Sequence, residues 1–275
     1  MTASDLQHEL EVAVALARRA GAAIMEYYRE GVDVDYKPGD EPVTVADRTA
    51  DGIISSGLRS AFPGDGLLTE ESEDDATRLQ KERVWIVDPL DGTTEFLEET
   101  DDFVVQIALT MRGRPVLGVV YQPVEDRLYY ARQGYGAYQE YRALRTRLHV
   151  SAETRPEGMC LVASRSRYSD LIEAGRRALG VQTVQRVGSV GLKVGLLAQG
   201  ACDLYLGTNV CKEWDLCAPH ALLLEAGGEL TDLHGEPILY NKPEVGECAG
   251  LVASNGLVHA QILEKLAPLV ERLPR

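Results

Sequence analysis

No apolar run reaches the roughly 18 residues that a membrane span needs, so none is expected. The chain has no C-x-x-C pair, and its five cysteines (Cys160, Cys202, Cys211, Cys217 and Cys248) are odd in number. That usage reads as reduced, mostly buried thiols of a cytoplasmic protein, not as a disulfide framework. The opening residues Met1-Thr2-Ala3-Ser4-Asp5 lack the basic and apolar regions of a secretory signal, which agrees with that compartment. The five histidines are scattered and none falls at ligand spacing, so a zinc site is not expected. Positive charge is also scarce: 28 Lys and Arg stand against 43 Asp and Glu, a net −15. This excludes a broad basic surface for a nucleic-acid polymer. It does not exclude an anionic small molecule, because bound divalent cations can invert the sign of a site. Internal repeats and low-complexity segments are absent.

What is present is an ordinary soluble composition, 45% hydrophobic and 26% charged, on 275 residues, enough for one large domain of two packed halves. Leu6, Leu10, Val14, Ala17, Gly21, Ile24 and Tyr28 follow helical spacing and predict an opening amphipathic helix. Residues 37–42 read as a loop. A second helix follows, with Thr44 as N-cap and Ile54, Leu58 and Phe62 on its buried face, ended by Pro63-Gly64-Asp65-Gly66. Residues 66–69 and 83–87 read as buried strands, and short β-type runs at 103–109, 115–121, 128–131 and 136–139 suggest an antiparallel meander. From about Pro156 the texture alternates. Strands at 160–163, 203–206, 229–231 and 250–253 intersperse with helices at 170–179, 189–198, 214–226 and 258–266, the last stopped by Pro268. The expected division is an α+β half of helices plus antiparallel sheet over 1–148 and an α/β half over 149–275, with the site between them.

The most informative segment is Asp88-Pro89-Leu90-Asp91-Gly92-Thr93-Thr94-Glu95-Phe96. Val84-Trp85-Ile86-Val87 before it reads as a buried strand that Pro89 should stop, leaving Asp88 at its end and Asp91 in the turn. Carboxylates suit a hard cation such as Mg²⁺, and free N–H groups at a helix start suit a phosphate. One segment offers both. An isolated D-x-x-D would more often be helix capping; the added strand, Pro, Gly and two Thr favour a metal and phosphate loop. Glu70 heads an acidic run through Asp75 that could be a solvated surface patch, but Gly66–Thr69 before it places Glu70 at a strand end. Asp47, three residues after Thr44, fits a capping box as well as a functional role. Asp215 follows Trp214 at a helix start, where a carboxylate is favoured in any case. Phosphate monoester hydrolysis needs an activated water and neutralised oxygens. Two metals about 3.5–4 Å apart, bridged by carboxylates, supply these.

These residues resemble the signature of the lithium-sensitive, Mg²⁺-dependent inositol monophosphatase superfamily. Thr69-Glu70-Glu71-Ser72 is similar to its first acidic motif, and Trp214-Asp215-Leu216-Cys217-Ala218-Pro219-His220 with Glu225-Ala226-Gly227-Gly228 to its C-terminal motif. The resemblance implies a layered αβαβα sandwich, of the type shared with fructose-1,6-bisphosphatases. It implies that Glu70, Asp88 and the Leu90 carbonyl hold one Mg²⁺ and that Asp88, Asp91 and Asp215 hold a second. Glu70 would serve a third, weaker ion through water. Asp47 and Thr93 would activate the water, with Glu70 beside them, and the N–H groups of Gly92 and Thr93 would hold the phosphate.

Within the superfamily, Glu95-Phe96 resembles the 3′(2′),5′-bisphosphate nucleotidases of the CysQ type, although Thr94 stands where they carry Lys. Residues 103–109, 115–121, 163–166 and 188–193 are similar to nucleotidase segments. A bisphosphate needs a second anion site, for which Ser164, Arg165, Ser189 and Lys193 are suitable donors; surface solvation is the alternative for Arg165 and Lys193. Glu213 is a candidate contact to the substrate's sugar. The leading expectation is removal of the 3′-phosphate of adenosine 3′,5′-bisphosphate by a cytoplasmic monomer or homodimer. An inositol or broad sugar phosphatase is the alternative enzyme, and an inactive nucleotide-binding or interaction protein is the alternative of another class.

Overall fold

The structure, a computed structural model, describes residues 5–37, 42–74, 76–208, 211–245 and 250–271. Residues 38–41 of the expected loop, Asp75 of the acidic run, and Cys248 lie outside them.

Helices α1 (Gln7–Tyr27) and α2 (Val45–Ala61) pack against each other, and the short hairpin strands β1 (Val34–Tyr36) and β2 (Pro42–Thr44) lie between them in sequence. The expected apolar stripe of α1 is buried at Leu10, Ala17, Gly21 and Ile24. Thr44 caps α2, its hydroxyl accepting from Ala46 N, while the Asp47 carboxylate reaches back to Thr44 N. Phe62 sits at the helix's C-cap and stacks on Trp85.

A seven-stranded sheet follows in chain order. It comprises β3 (Gly66–Thr69), β4 (Arg83–Asp91), β5 (Val104–Met111), β6 (Arg114–Gln122), β7 (Arg127–Arg132), β8 (Gly136–Tyr141) and β9 (Leu144–Leu148), with helix α3 (Thr93–Leu97) after β4. The pair β3–β4 is parallel and the rest is an antiparallel meander. A second sheet of five strands is built from β10 (Cys160–Ser164), β11 (Thr183–Val187), β12 (Leu204–Gly207), β13 (Glu229–Asp232) and β14 (Leu251–Ser254), in the spatial order β11-β10-β12-β14-β13. Its helices are α4 (Asp170–Leu179), α5 (Val190–Ala198), α6 (Glu213–Glu225) and α7 (His259–Val270).

Three apolar clusters define the layers. The first joins α1 and α2 to one face of the large sheet (Ile24, Ile54, Trp85, Ile107). The second joins the sheet's other face (Val104, Ala108, Val120) to α5 and α6 and onward to one face of the small sheet (Val162, Tyr205, Ala253). The third joins the small sheet's remaining face (Leu161, Leu204, Leu206, Val252) to α4 and α7 (Ile172, Ile262, Leu266). Successive strand residues such as Leu161 and Val162 feed opposite clusters, as a period of two requires. The order of layers is therefore α, β, α, β, α.

Two expected stops are overturned. Pro89 does not end its strand: β4 continues to Asp91, and Asp88 pairs with Gln106 while Asp91 pairs with Val104. Two residues on β4 thus face one on β5, a bulge, and Pro89 falls where the ladder needs no donor. Pro268 likewise lies inside α7, near the end of the helix, where its missing N–H costs one bond; Glu271 N to Ala267 O closes the final turn. Strands β9 and β11 escaped the sequence reading because both are largely exposed and polar.

Candidate active site

The carboxyl ends of β3 and β4, the starts of α3, α5 and α6, and the ends of β10 and β12 meet around a cleft of about 340 Å³. Its mouth lies between the two sheets. The β4 bulge shapes one wall. Leu90 N donates to Asp88 Oδ1 at 3.0 Å, which turns the chain within the bulge. At Gly92 the backbone has φ of 106°, and a Cβ there would lie 2.9 Å from Asp102 O, so this position admits only glycine without strain.

Glu70, Asp88, Asp91 and Asp215, together with Leu90, line the acidic end of the cleft. Burial, then the charges of Glu70, Asp91 and Asp215, push the Asp88 carboxyl well above the usual carboxylate range. Burial pushes Asp215 up to about 8, with Asp91 adding to it. Glu70 is pushed up to about 7 by burial, although the Lys37 ammonium opposes the shift. Lys37 Nζ lies 2.7 Å from Glu70 Oε1 and 2.6 Å from Glu71 Oε1. Among the described residues no three ligating side chains are drawn to one point. The donor set still fits a hard divalent cation: four carboxylates and a backbone carbonyl, all oxygen, whose mutual repulsion a cation would relieve.

The Asp91 carboxylate is held by three donors on one oxygen: Ser189 Oγ at 2.6 Å, Gln106 Nε2 at 2.8 Å and Gly191 N at 3.0 Å. Gln106 also donates to Asp215 O at 3.3 Å and so ties β5 to the start of α6. Asp215 Oδ2 in turn accepts from Lys212 N at 2.7 Å.

Asp47 caps α2 with one carboxylate oxygen and meets Thr93 with the other. Its Oδ2 accepts from Thr44 N at 2.8 Å and Thr44 Oγ1 at 2.6 Å. Its Oδ1 accepts from Thr93 Oγ1 at 3.0 Å, and the same hydroxyl lies 3.3 Å from Leu90 O. Burial raises the Asp47 carboxyl, while the Thr44 and Thr93 hydrogen bonds hold it down. A hydroxyl bound to a buried carboxylate, beside the bulge, is a proton-accepting pair.

Two cationic side chains, Lys193 and Arg167, line the same cleft. Lys193 is 3% exposed, donates to Gly188 O at 3.3 Å and stands 5.4 Å over the Tyr205 ring. Burial pushes its ammonium down, and Asp91 and Glu95 pull it back up. Arg167, Ser164, Thr94, Glu95 and Trp214 also line this space. Among the described residues the Arg167 guanidinium makes no salt bridge.

The sequence pattern of the inositol monophosphatase family matches residues 5–274. The chain belongs to the inositol monophosphatase family. It is 39% identical over 238 residues to the 3′(2′),5′-bisphosphate nucleotidase CysQ of Salmonella typhimurium, covering 86% of this chain and 95% of that protein. Among solved structures it resembles the extragenic suppressor protein SuhB of Bartonella henselae (TM-score 0.81, 31% identity, 94% of this chain and 98% of that one). It also resembles CysQ of Bacteroides thetaiotaomicron (TM-score 0.77, 31% identity, 91% and 98%).

In this family member the structure brings together Asp47, Glu70, Asp88, Leu90, Asp91, Gly92, Thr93, Thr94, Ser164, Ser189, Lys193 and Asp215; it keeps Arg165 and Glu213 out of the cleft lining and gives Ser189 a role other than the expected one. Arg165 is exposed and paired with Asp102, so it is not a substrate donor as placed. Arg167, two residues on, occupies the cleft instead. Ser189 spends its one hydroxyl proton on Asp91 and accepts from Leu192 N, which makes it an orienting group and not a donor to substrate. Glu213 is 3% exposed and accepts from Asn241 N at 2.6 Å and Lys242 N at 2.9 Å; it anchors the 241–242 turn and does not reach a sugar. Gln106 and Lys37 were missed. Gln106 did carry a signal, since an amide inside the apolar run 103–109 must find a partner when buried. Lys37 carried none, because nothing local points it at Glu70.

Proposed function

We propose that this chain is a Mg²⁺-dependent 3′(2′),5′-bisphosphate nucleotidase that converts adenosine 3′,5′-bisphosphate to AMP and phosphate. The carrying observation is that one cleft is lined by a carboxylate cluster and also by a buried Lys193 and Arg167. A substrate with one phosphate leaves these two cations without an anionic partner from the substrate. A bisphosphate supplies one through its second phosphate. The similarity to relatives named 3′(2′),5′-bisphosphate nucleotidase supports the same substrate.

Glu70, Asp88 and the Leu90 carbonyl would hold one Mg²⁺, and Asp88, Asp91 and Asp215 would hold a second; Glu70 would help a third through water. When bound, the ions neutralise phosphoryl and leaving-group oxygens and make the attacking water more acidic. The chain's own residues do the rest. Thr93 Oγ1, already donating to Asp47 Oδ1, uses its lone pair to orient the water and relays the proton to Asp47. Thr44, through two bonds to Asp47 Oδ2, keeps Oδ1 turned to Thr93. The backbone N–H groups of Gly92 and Thr93 hold the scissile phosphate, Ser189 and Gln106 fix the Asp91 carboxylate, and Lys193 and Arg167 grip the 5′-phosphate. The cytoplasm and a small soluble substrate fit this reading, and no helix among the described residues is long and apolar enough to cross a membrane.

The test is phosphate release, with and without Mg²⁺, from adenosine 3′,5′-bisphosphate, inositol 1-phosphate and fructose 1,6-bisphosphate in parallel. Faster Mg²⁺-dependent release from the nucleotide is the expected result. Preference for inositol phosphate would overturn the substrate, and no release from any of the three would leave only a binding role.

A further inference from the structure

Two cysteines face each other at the far end of the five-stranded sheet from the cleft. Cys160 opens β10 and Cys202 stands two residues before β12; the two strands run parallel, with Leu161 opposite Leu204. Their Sγ atoms are 2.9 Å apart. Their backbones are pinned by the residue between Cys202 and β12: Asp203 N donates to Cys160 O at 2.9 Å, and Asp203 Oδ2 accepts from Cys160 N at 2.6 Å. The other Asp203 oxygen accepts from Ser151 Oγ. Cys202 Sγ also reaches Gln185 Oε1 on β11 at 3.2 Å. Two sulfurs and an amide oxygen do not make a zinc site, and among the described residues no group of three metal-ligating side chains occurs.

We propose that Cys160 and Cys202 form an oxidation site, at which a low-molecular-weight disulfide converts the two thiols into a Cys160–Cys202 bond. A disulfide is about 2.05 Å long, so the sulfurs need to close by less than about 1 Å, within the reach of side-chain rotation. Cys160 is half-buried and Cys202 is 1% exposed, so Cys160 meets the reagent first. The Cys160 thiolate attacks one sulfur of the reagent, forming a mixed disulfide and releasing one thiolate. Cys202 then attacks Cys160 Sγ and displaces the second. The protein loses two electrons, the reagent gains them, and the two thiol protons end on the two released thiols. Burial pushes the Cys202 thiol up, so its proton passes to the reagent thiolate as it attacks, and the 2.9 Å separation of the sulfurs favours that step.

The bond would join residues 42 apart in sequence. The chain it encloses comprises β10, α4, β11 and α5, which carry Ser164, Arg167 and Lys193 to the cleft. Closing a loop of that length restricts the unfolded chain and raises Tm by roughly 5–10 °C.

The full chain, reduced and then incubated with glutathione disulfide, is alkylated and mapped by non-reducing peptide mass spectrometry. The expected result is a Cys160–Cys202 cross-linked peptide, two fewer alkylatable thiols, no retained glutathione, and a raised Tm that dithiothreitol reverses. Cys202→Ser should stop at glutathione retained on Cys160. Absence of the cross-linked peptide from the oxidised wild type would overturn the proposal without recourse to either variant. So would thiol loss in Cys160→Ser equal to that of the wild type.

Discussion

Asp88 is the carboxylate on which the acidic end of the cleft depends. It is 1% exposed and lies within the influence of Glu70, Asp91 and Asp215. Asp88→Asn should lower Mg²⁺-dependent turnover by about 10³-fold or more, because under the proposed function it removes an oxygen ligand that two ions would share. The same substitution removes a buried like charge, so Tm without Mg²⁺ should hold or rise. Steady-state phosphate release and differential scanning calorimetry on one preparation check both halves. Near-normal turnover would refute the shared-ligand role. At this scale the sequence was most legible where a residue's neighbours in the chain define its environment, as at Asp88, Asp91, Gly92 and Thr93. It was least legible for Arg165, Ser189 and Glu213. Their partners Asp102, Asp91 and the 241–242 backbone lie tens of residues away, and spacing along the chain says nothing about which donor a carboxylate meets first.

Among the elements, the β4 bulge and helix α6 decide the geometry. The bulge lets Pro89 sit inside a strand, so the local rule that proline stops a strand failed where the site needed an irregular backbone. Helix α6 carries Asp215 at its start and packs across β6 at Gly118, where an added Cβ would lie 2.2 Å from Ala218 O. Gly118→Ala should therefore push α6 off the sheet, destabilise the fold by about 1–3 kcal/mol and weaken Mg²⁺ binding through Asp215. Urea unfolding and isothermal titration with Mg²⁺ measure the two effects. Unchanged stability would show that α6 does not depend on this close approach. Helices α1 and α2 were legible because one apolar stripe on each meets one sheet face; β9 and β11 were not, because an exposed polar strand has no periodic signature.

For the whole molecule, five layers bury a helix pair between two sheets, and this puts His220 of α6 in the interior. It is 6% exposed, with Nδ1 2.8 Å from the Tyr240 hydroxyl, and burial pushes its pKa down to about 4. In the unfolded chain it titrates near 6.5, so between these values the unfolded state binds the proton first. The stability that neutral His220 contributes is complete above about pH 6.5 and is lost as pH falls toward 4. About 2 kcal/mol of it goes between pH 7 and pH 5. His220→Gln should flatten that part of the pH dependence of the urea midpoint relative to wild type; an unchanged slope would place the titration elsewhere. The change of texture near residue 150 was visible along the chain, but the layer order came only with the family resemblance. The joining of the two halves at Asp91, Gln106, Ser189 and Asp215 was not, since it exists only once the sheets face each other.

Under the proposed function, Lys193 and Arg167 form a second anion site in the cleft. The measurement that tests it is the ratio of kcat/KM for adenosine 3′,5′-bisphosphate to that for adenosine 3′-monophosphate at saturating Mg²⁺. Hydrogen bonds to a charged group are worth about 1.5–3 kcal/mol, so Lys193 and Arg167 together predict a ratio of roughly 10² to 10⁴. Equal values for the two substrates would rule out a second anion site at Lys193 and Arg167.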